Sequence, residues 1–202
     1  SSFVVDASQG YLFLALPFTM IACLFLGMGV PTTAQYVIIT ALVAPALVQM
    51  GVLPMAAHLF ILYFGTRADI TPPVALAAYA GAGIARSDPW KTGWAAFQLG
   101  IAGFIIPFMF VYAPELLFVG GLWSILSALV TATFGVYILA AAVQRCLLIN
   151  TKWYEALLLL AASLLLIKPG LKTDLTGAVL FIVVFLLQWF RRKRKDKAVF
   201  PA

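Results

Sequence analysis

Two short stretches of this chain set oxygen-bearing and helix-breaking residues inside apolar sequence. The first is Gly27-Met28-Gly29-Val30-Pro31-Thr32-Thr33, and the second is Gly65-Thr66-Arg67-Ala68-Asp69-Ile70-Thr71-Pro72-Pro73. In hydrocarbon an unsatisfied backbone N–H or C=O is costly, so unwound backbone persists only where protein or a polar cavity satisfies it. The carbonyls freed at such breaks, with the hydroxyls of Thr32, Thr33, Thr66 and Thr71, are hard oxygen ligands suited to a small cation. The helix N-termini that follow each break offer N–H groups and a positive dipole end to an anion. Arg67 and Asp69 lie within the second break, and ionisable groups at membrane depth are rare and usually paired, cavity-facing or functional. Two readings stay open for them. One is a mutual ion pair that steadies the loop. The other has the planar fork of Arg67 gripping a substrate carboxylate and Asp69 carrying a coupling proton. The plain alternative, two kinks without a site, is weakened by two breaks in succession that both carry hydroxyls.

Nothing else in the chain assembles a reaction centre. His58 is the single histidine of 202 residues, which excludes His-pair metal sites and hydrolytic triads with a second imidazole. It lies in the mixed segment Ala56-Ala57-His58-Leu59-Phe60 and reads as packed or interfacial. Cys23 and Cys146 lie in or beside apolar runs without metal-like spacing and read as two buried, reduced thiols. No catalytic residue, transition-metal ligand or cofactor is expected, and an integral membrane enzyme would lack acid, base and metal groups.

The elements that position the breaks are membrane helices. The chain is 64% hydrophobic and 10% charged, with a mean hydropathy of +1.06, far from a soluble domain. Several runs approach the ~20 residues that cross a hydrocarbon core of ~30 Å. Residues 1–10 read as a polar lead-in loop. The arms Tyr11–Leu26 and Ala34–Met50 flank the first break, so residues 11–50 read as a re-entrant hairpin, with Pro17 expected to kink the first arm. Two spanning helices joined by a solvent loop are the alternative, opposed by a break without charge. Residues 51–85 read as one discontinuous transmembrane helix with arms Met55–Phe64 and Val74–Ala85. Pro72 and Pro73 interrupt it, since each lacks an N–H and each pushes its predecessor out of the α region. The small residues from Ala75 to Ala85 suit close packing. Residues 86–118 give a connector with an interfacial Trp90 and a spanning helix over Gly93–Val111. Residues 119–202 hold a long apolar segment to Val143, helices over Trp153–Ile167 and Leu175–Phe190, and a basic tail.

Charge sets the expected orientation. Six of the 13 basic residues lie in the tail from Arg191 to Lys197. Directly after an apolar helix, such a run reads as a cytoplasmic flank rather than a nucleic-acid surface. Counting helices back from it puts Arg145, Lys152, Arg86 and Lys91 inside, leaving Lys168 and Lys172 outside and Arg67 at membrane depth. The hairpin then enters from the external face. A start at Ser1-Ser2-Phe3, with no initiator Met or signal pattern, is what a piece of a larger protein would show.

At these residues the sequence resembles a known family. Gly27-Met28-Gly29-Val30-Pro31-Thr32-Thr33-Ala34, Ala57-His58-Leu59-Phe60, Ile70-Thr71-Pro72-Pro73-Val74-Ala75-Leu76-Ala77-Ala78-Tyr79 and Ala82-Gly83-Ile84-Ala85 are similar to the fused membrane permease of TRAP (tripartite ATP-independent periplasmic) transporters, TAXI branch. Ile106-Pro107-Phe108 and Val111-Tyr112-Ala113-Pro114-Glu115-Leu116-Leu117 extend the likeness, which covers about residues 10–118. The resemblance implies an all-α polytopic membrane protein and, within it, the second inverted repeat of an elevator-type carrier. That carrier would take up organic acids by secondary active transport in the bacterial inner membrane, with the C-terminus cytoplasmic. It implies Na+ or H+ as coupling ion, Na+ being the family's usual choice. The implied partners are the N-terminal permease half, small-subunit helices and a periplasmic substrate-binding protein. By motif position a cation site falls on Gly27, Gly29, Thr32, Thr71 and Pro72, and substrate contacts on Thr33, Thr66, Arg67 and Pro73. The charged Arg67-Ala68-Asp69 departs from the family's pattern, which leaves the coupling ion and the substrate contact open. From another class, a non-transporting assembly subunit would use the same breaks as kinks.

Overall fold

The computed structural model describes residues 8–167 and 170–199, with no side-chain description for residues 171, 172 and 192–199. Most of the expected lead-in loop (residues 1–7), Lys168 and the side chains of Lys172 and of the basic tail beyond Arg191 therefore lie outside the described residues. The described chain is helical, without a strand, and divides into two units at residues 119 and 120.

In the first unit, helices α1 (Leu12–Leu26) and α2 (Thr32–Gln49) form a hairpin, and α3 (Pro54–Arg67) runs to a 3-10 turn at Ala68–Ile70. Helices α4 (Leu76–Ala85), α5 (Pro89–Leu99) and α6 (Ala102–Tyr112) follow, closed by a second 3-10 turn at Pro114–Leu117. Helix α3 is the hub: α1, α2 and α6 all pack against it, while α4 pairs with α5. Its buried face, Ala56, Ala57, Phe60, Ile61, Phe64 and Gly65, recurs at three- and four-residue intervals and so forms one stripe. Phe60 and Phe64 meet edge to face at 4.8 Å between centroids and contact Phe108 of α6 at 5.2 and 5.7 Å. Such tilted pairs add specificity to the apolar burial. Tyr36 of α2 meets the half-buried His58 of α3 through a 2.8 Å hydrogen bond.

Helix α1 spans the expected first arm with Pro17 inside it. Several other boundaries differ from the sequence reading. Helix α3 extends to Arg67, so Gly65 and Thr66 belong to its last turn and the unwound stretch begins at Ala68. The helix expected over Gly93–Val111 starts at Pro89 and is broken at Gly100 and Ile101. Asp88 caps its start by accepting the Lys91 N–H at 2.8 Å. On α4 the buried positions are Ala78 and Ala82, so tight packing uses one face only, and Gly81 and Gly83 have open space where a Cβ would sit.

The second unit is α7 (Leu122–Val143), α8 (Trp153–Ile167) and α9 (Leu171–Val199), with α8 packed against both others. Its core joins Ile138, Ala142, Leu159, Ala162, Leu166 and Val184. Helix α9 is longer at both ends than the expected Leu175–Phe190. Cys146 is exposed rather than buried. It falls just beyond the end of α7, where the chain turns through Arg145 at φ 50° and forms an isolated bridge to Asn150. That turn carries the residue off the apolar face its neighbours suggested.

Among the described residues, four helical stretches are long and apolar enough to cross a membrane: Thr32–Gln49, Pro89–Tyr112, Leu122–Val143 and Thr173–Arg191. Large apolar side chains remain exposed along them, Trp123 at 84% and Leu122 at 70% among them. Helices this apolar on their outer faces are solvated by lipid.

Candidate functional site

The two breaks are packed together, and a residue absent from the sequence reading joins them. Helix α1 ends at Gly27, whose N–H closes on the Cys23 carbonyl at 2.9 Å. Gly29 then turns the chain at φ +77°, a left-handed conformation that glycine adopts without Cβ strain. Gln35, in the second turn of α2, is 2% exposed and donates its Nε2 to the Cys23 carbonyl at 3.1 Å. Its carboxamide lies across two glycines. A Cβ on Gly27 would collide with the amide and lie 2.9 Å from the Ala68 Cβ, and one on Gly65 would lie 2.6 Å from Nε2. Gly65 therefore serves close approach rather than unwinding.

The second break largely satisfies its own backbone. Thr71 donates its hydroxyl to the Arg67 carbonyl at 2.6 Å and its N–H to the Ala68 carbonyl at 3.3 Å. Ala75, at φ +38°, donates to the Thr71 carbonyl at 3.1 Å, and the Tyr79 hydroxyl to the Pro73 carbonyl at 2.9 Å. The Pro72–Pro73 bond is cis. Because the Thr71 hydroxyl donates, its lone pairs stay free to meet a cation. Gly93 lets α5 approach this region: a Cβ there would lie 2.9 Å from the Tyr79 ring and 3.6 Å from Pro72.

Arg67 and Asp69 do not form the ion pair that was one reading of them; among the described residues the ion pair is Glu155 with Arg191. The guanidinium of Arg67 instead reaches the break between α5 and α6, where a Cβ on Gly103 would collide with it and one on Gly100 would stand 3.5 Å from Nη1. Its Nε is buried without a hydrogen-bond partner. Thr66 is exposed and donates its hydroxyl to the Tyr63 carbonyl at 2.9 Å. Thr32 and Thr33 open α2, exposed and without a side-chain cap, so the first N–H groups of that helix are free of a protein partner. Gly27, Gly65 and Ala68 meet at the Gln35 junction, while of the other expected residues Thr71 bonds back to Arg67 and Ala68, Arg67 turns to a third break, and Thr32 and Thr33 stand at the hairpin tip.

Gln35 and the Gly100–Gly103 notch were missed. A single polar residue one turn beyond Thr32-Thr33 was the available signal for Gln35. For the notch it was the spacing of two glycines across an apolar run.

The second unit holds its own polar cluster. Glu155, 2% exposed, pairs with Arg191 at 2.6 Å, and its Oε2 accepts from Gln188 Nε2 at 2.9 Å and from the Lys152 N–H at 3.1 Å. Arg191 also donates to the Asn150 carbonyl at 2.9 Å, and Gln188 accepts from the Leu148 N–H at 3.2 Å. These bonds tie the loop after α7 to α8 and α9.

Comparison with known proteins follows the same division. Residues 1–125 match the family described as tripartite ATP-independent periplasmic transporter, DctM component. Residues 125–178 match DUF3394, a domain of unknown function. No curated protein and no solved structure is matched. With more than half its length covered, and with apolar helices suited to a multi-pass membrane protein, the chain belongs to the DctM component family of tripartite ATP-independent periplasmic transporters.

Proposed function

We propose that this permease component carries out secondary active, cation-coupled uptake of organic acids, with Na+ as the coupling ion and a periplasmic binding protein delivering the substrate. The observation that carries the reading is the packing of the hairpin tip against the helix break through Gln35, Gly27, Gly65 and Ala68. Two interrupted helices meeting in this way are how secondary carriers build ion and substrate sites. Gly27, Gly29, Thr32, Thr71 and Pro72 supply cation ligands, largely as backbone carbonyls and hydroxyls. The substrate carboxylate meets Arg67, with Thr33, Thr66 and Pro73 lining its path. Asp69, beside Arg67 but unpaired with it, is the group that would carry a proton if H+ replaced Na+.

The same reading makes the chain a second inverted repeat of TAXI type. It would move in an elevator fashion against the N-terminal half and the small-subunit helices, in the inner membrane with its C-terminus cytoplasmic. Reconstitution of the complete transporter in proteoliposomes tests it: uptake of a labelled organic acid should require an inward Na+ gradient and the binding protein. Uptake that ignores both would overturn the reading, and uptake driven by a pH gradient alone would transfer the coupling to Asp69.

A further inference from the structure

We propose that Gln35 is a ligand of the coupling cation, bound through its side-chain oxygen at the junction of α1 and α3; this rests on the cation-coupled reading above. The orientation of the carboxamide follows from its surroundings. The atom 3.1 Å from the Cys23 carbonyl must be the nitrogen, since two acceptors cannot bond. That leaves Oε1 on the other side, buried and with no donor. A Cβ on Gly65 would stand 3.1 Å from it, so the oxygen borders the last turn of α3. A buried acceptor without a partner in a native fold calls for a water or an ion.

The electrostatics choose the ion. Gln35 Nε2 touches the end of α1 through Cys23, and Oε1 borders the end of α3 at Gly65. Helix C-termini carry partial negative charge, and the orphan oxygen borders that of α3, while the end of α1 holds the amide through its nitrogen. The positive side chain nearest in sequence, Arg67, directs its guanidinium away to Gly103. A second oxygen without a partner, Thr19 Oγ1, lies one turn before Cys23 on α1 and is fully buried. Neutral hard oxygens in a buried, tightly packed place suit a small dehydrated monovalent cation. A neutral ligand also binds weakly enough for release.

The test compares the complete transporter with Gln35→Met and Gln35→Glu in proteoliposomes, reading uptake against Na+ concentration. A second reading is the Na+-dependent shift of thermal unfolding in detergent without substrate. Gln35→Met keeps length and removes the oxygen. It should raise the Na+ half-saturation about tenfold, the scale of one lost bond to a charged group, and shrink the thermal shift, with KM for substrate unchanged at saturating Na+. Gln35→Glu restores an oxygen and should return half-saturation to the wild-type value or below. Wild-type Na+ dependence in Gln35→Met overturns the proposal. So does equal loss in both variants with no change in the Na+ response, which would make Gln35 a packing residue. A wild type indifferent to Na+ in both readings would instead fell the coupling reading itself.

Discussion

The guanidinium of Arg67 lies against Gly103, in the place a Cβ would take, rather than against Asp69 two residues along its own chain. A charge from the break after α3 thereby reaches the break between α5 and α6. Gly103→Ala should displace it. Because the collision involves the far end of a flexible side chain, the fold should survive at a cost of about 1–3 kcal/mol. The substrate KM should rise about tenfold as one carboxylate contact is lost, while Na+ half-saturation stays put. Uptake kinetics at saturating Na+ decide it; an unchanged KM would remove Arg67 from the substrate path.

The glycines are not equivalent, and alanine substitution should sort them. Gly27→Ala and Gly65→Ala drive a methyl into the Gln35 amide and should each cost about 1–3 kcal/mol by overpacking. Gly81→Ala meets open space in the middle of α4 and should be neutral or stabilising by up to about 1 kcal/mol. Thermal unfolding of the purified transporter in one detergent gives the ranking. Equal losses at all three positions would contradict the packing described.

Thr71 uses its proton on the Arg67 carbonyl. Thr71→Ser keeps that bond, and Thr71→Val, of nearly the same shape, removes it. The valine variant should lose about 1 kcal/mol or more of stability and show a raised Na+ half-saturation, with the serine variant close to wild type. Should valine and serine behave alike in Na+ titrations, Thr71 is no cation ligand.

In the second unit Glu155 answers to Arg191, Gln188 and the Lys152 N–H together. Removing the carboxylate in Glu155→Ala strands the donors of a cluster that is buried on one side and open at Arg191, which is 25% exposed. The expected cost is about 1–3 kcal/mol. Limited proteolysis should then cut the loop at residues 144–152 first, without altering Na+ half-saturation or KM. Transport kinetics that shift with the proteolysis would show that this cluster bears on the carrier site.

What the amino-acid sequence determined by itself was the class and the interruptions. Sixty-four per cent apolar residues can be solvated only by lipid or by one another, and Pro31, Pro72 and Pro73 each lack the N–H that a helix interior uses. Those are local or compositional constraints, so the arms of the hairpin, the break near Thr71 and the helix Trp153–Ile167 were legible within a few residues. Tertiary structure decided everything that depends on what faces what. Whether Gly65 unwinds a helix or admits a neighbour depends on Gln35, thirty positions away in sequence and in contact only once α2 packs on α3. The break at Gly100 and Ile101 carries no proline, and its meaning comes from Ile70 and Arg67 pressing against it. Asp69 and Arg67 are near in sequence, yet with a helix ending at Arg67 and a 3-10 turn beginning at Ala68 the guanidinium turns to Gly103 and forms no ion pair with Asp69. Burial follows the same logic. Cys146 shares its apolar neighbours with Cys23, but a turn at Arg145 exposes one while α1 encloses the other.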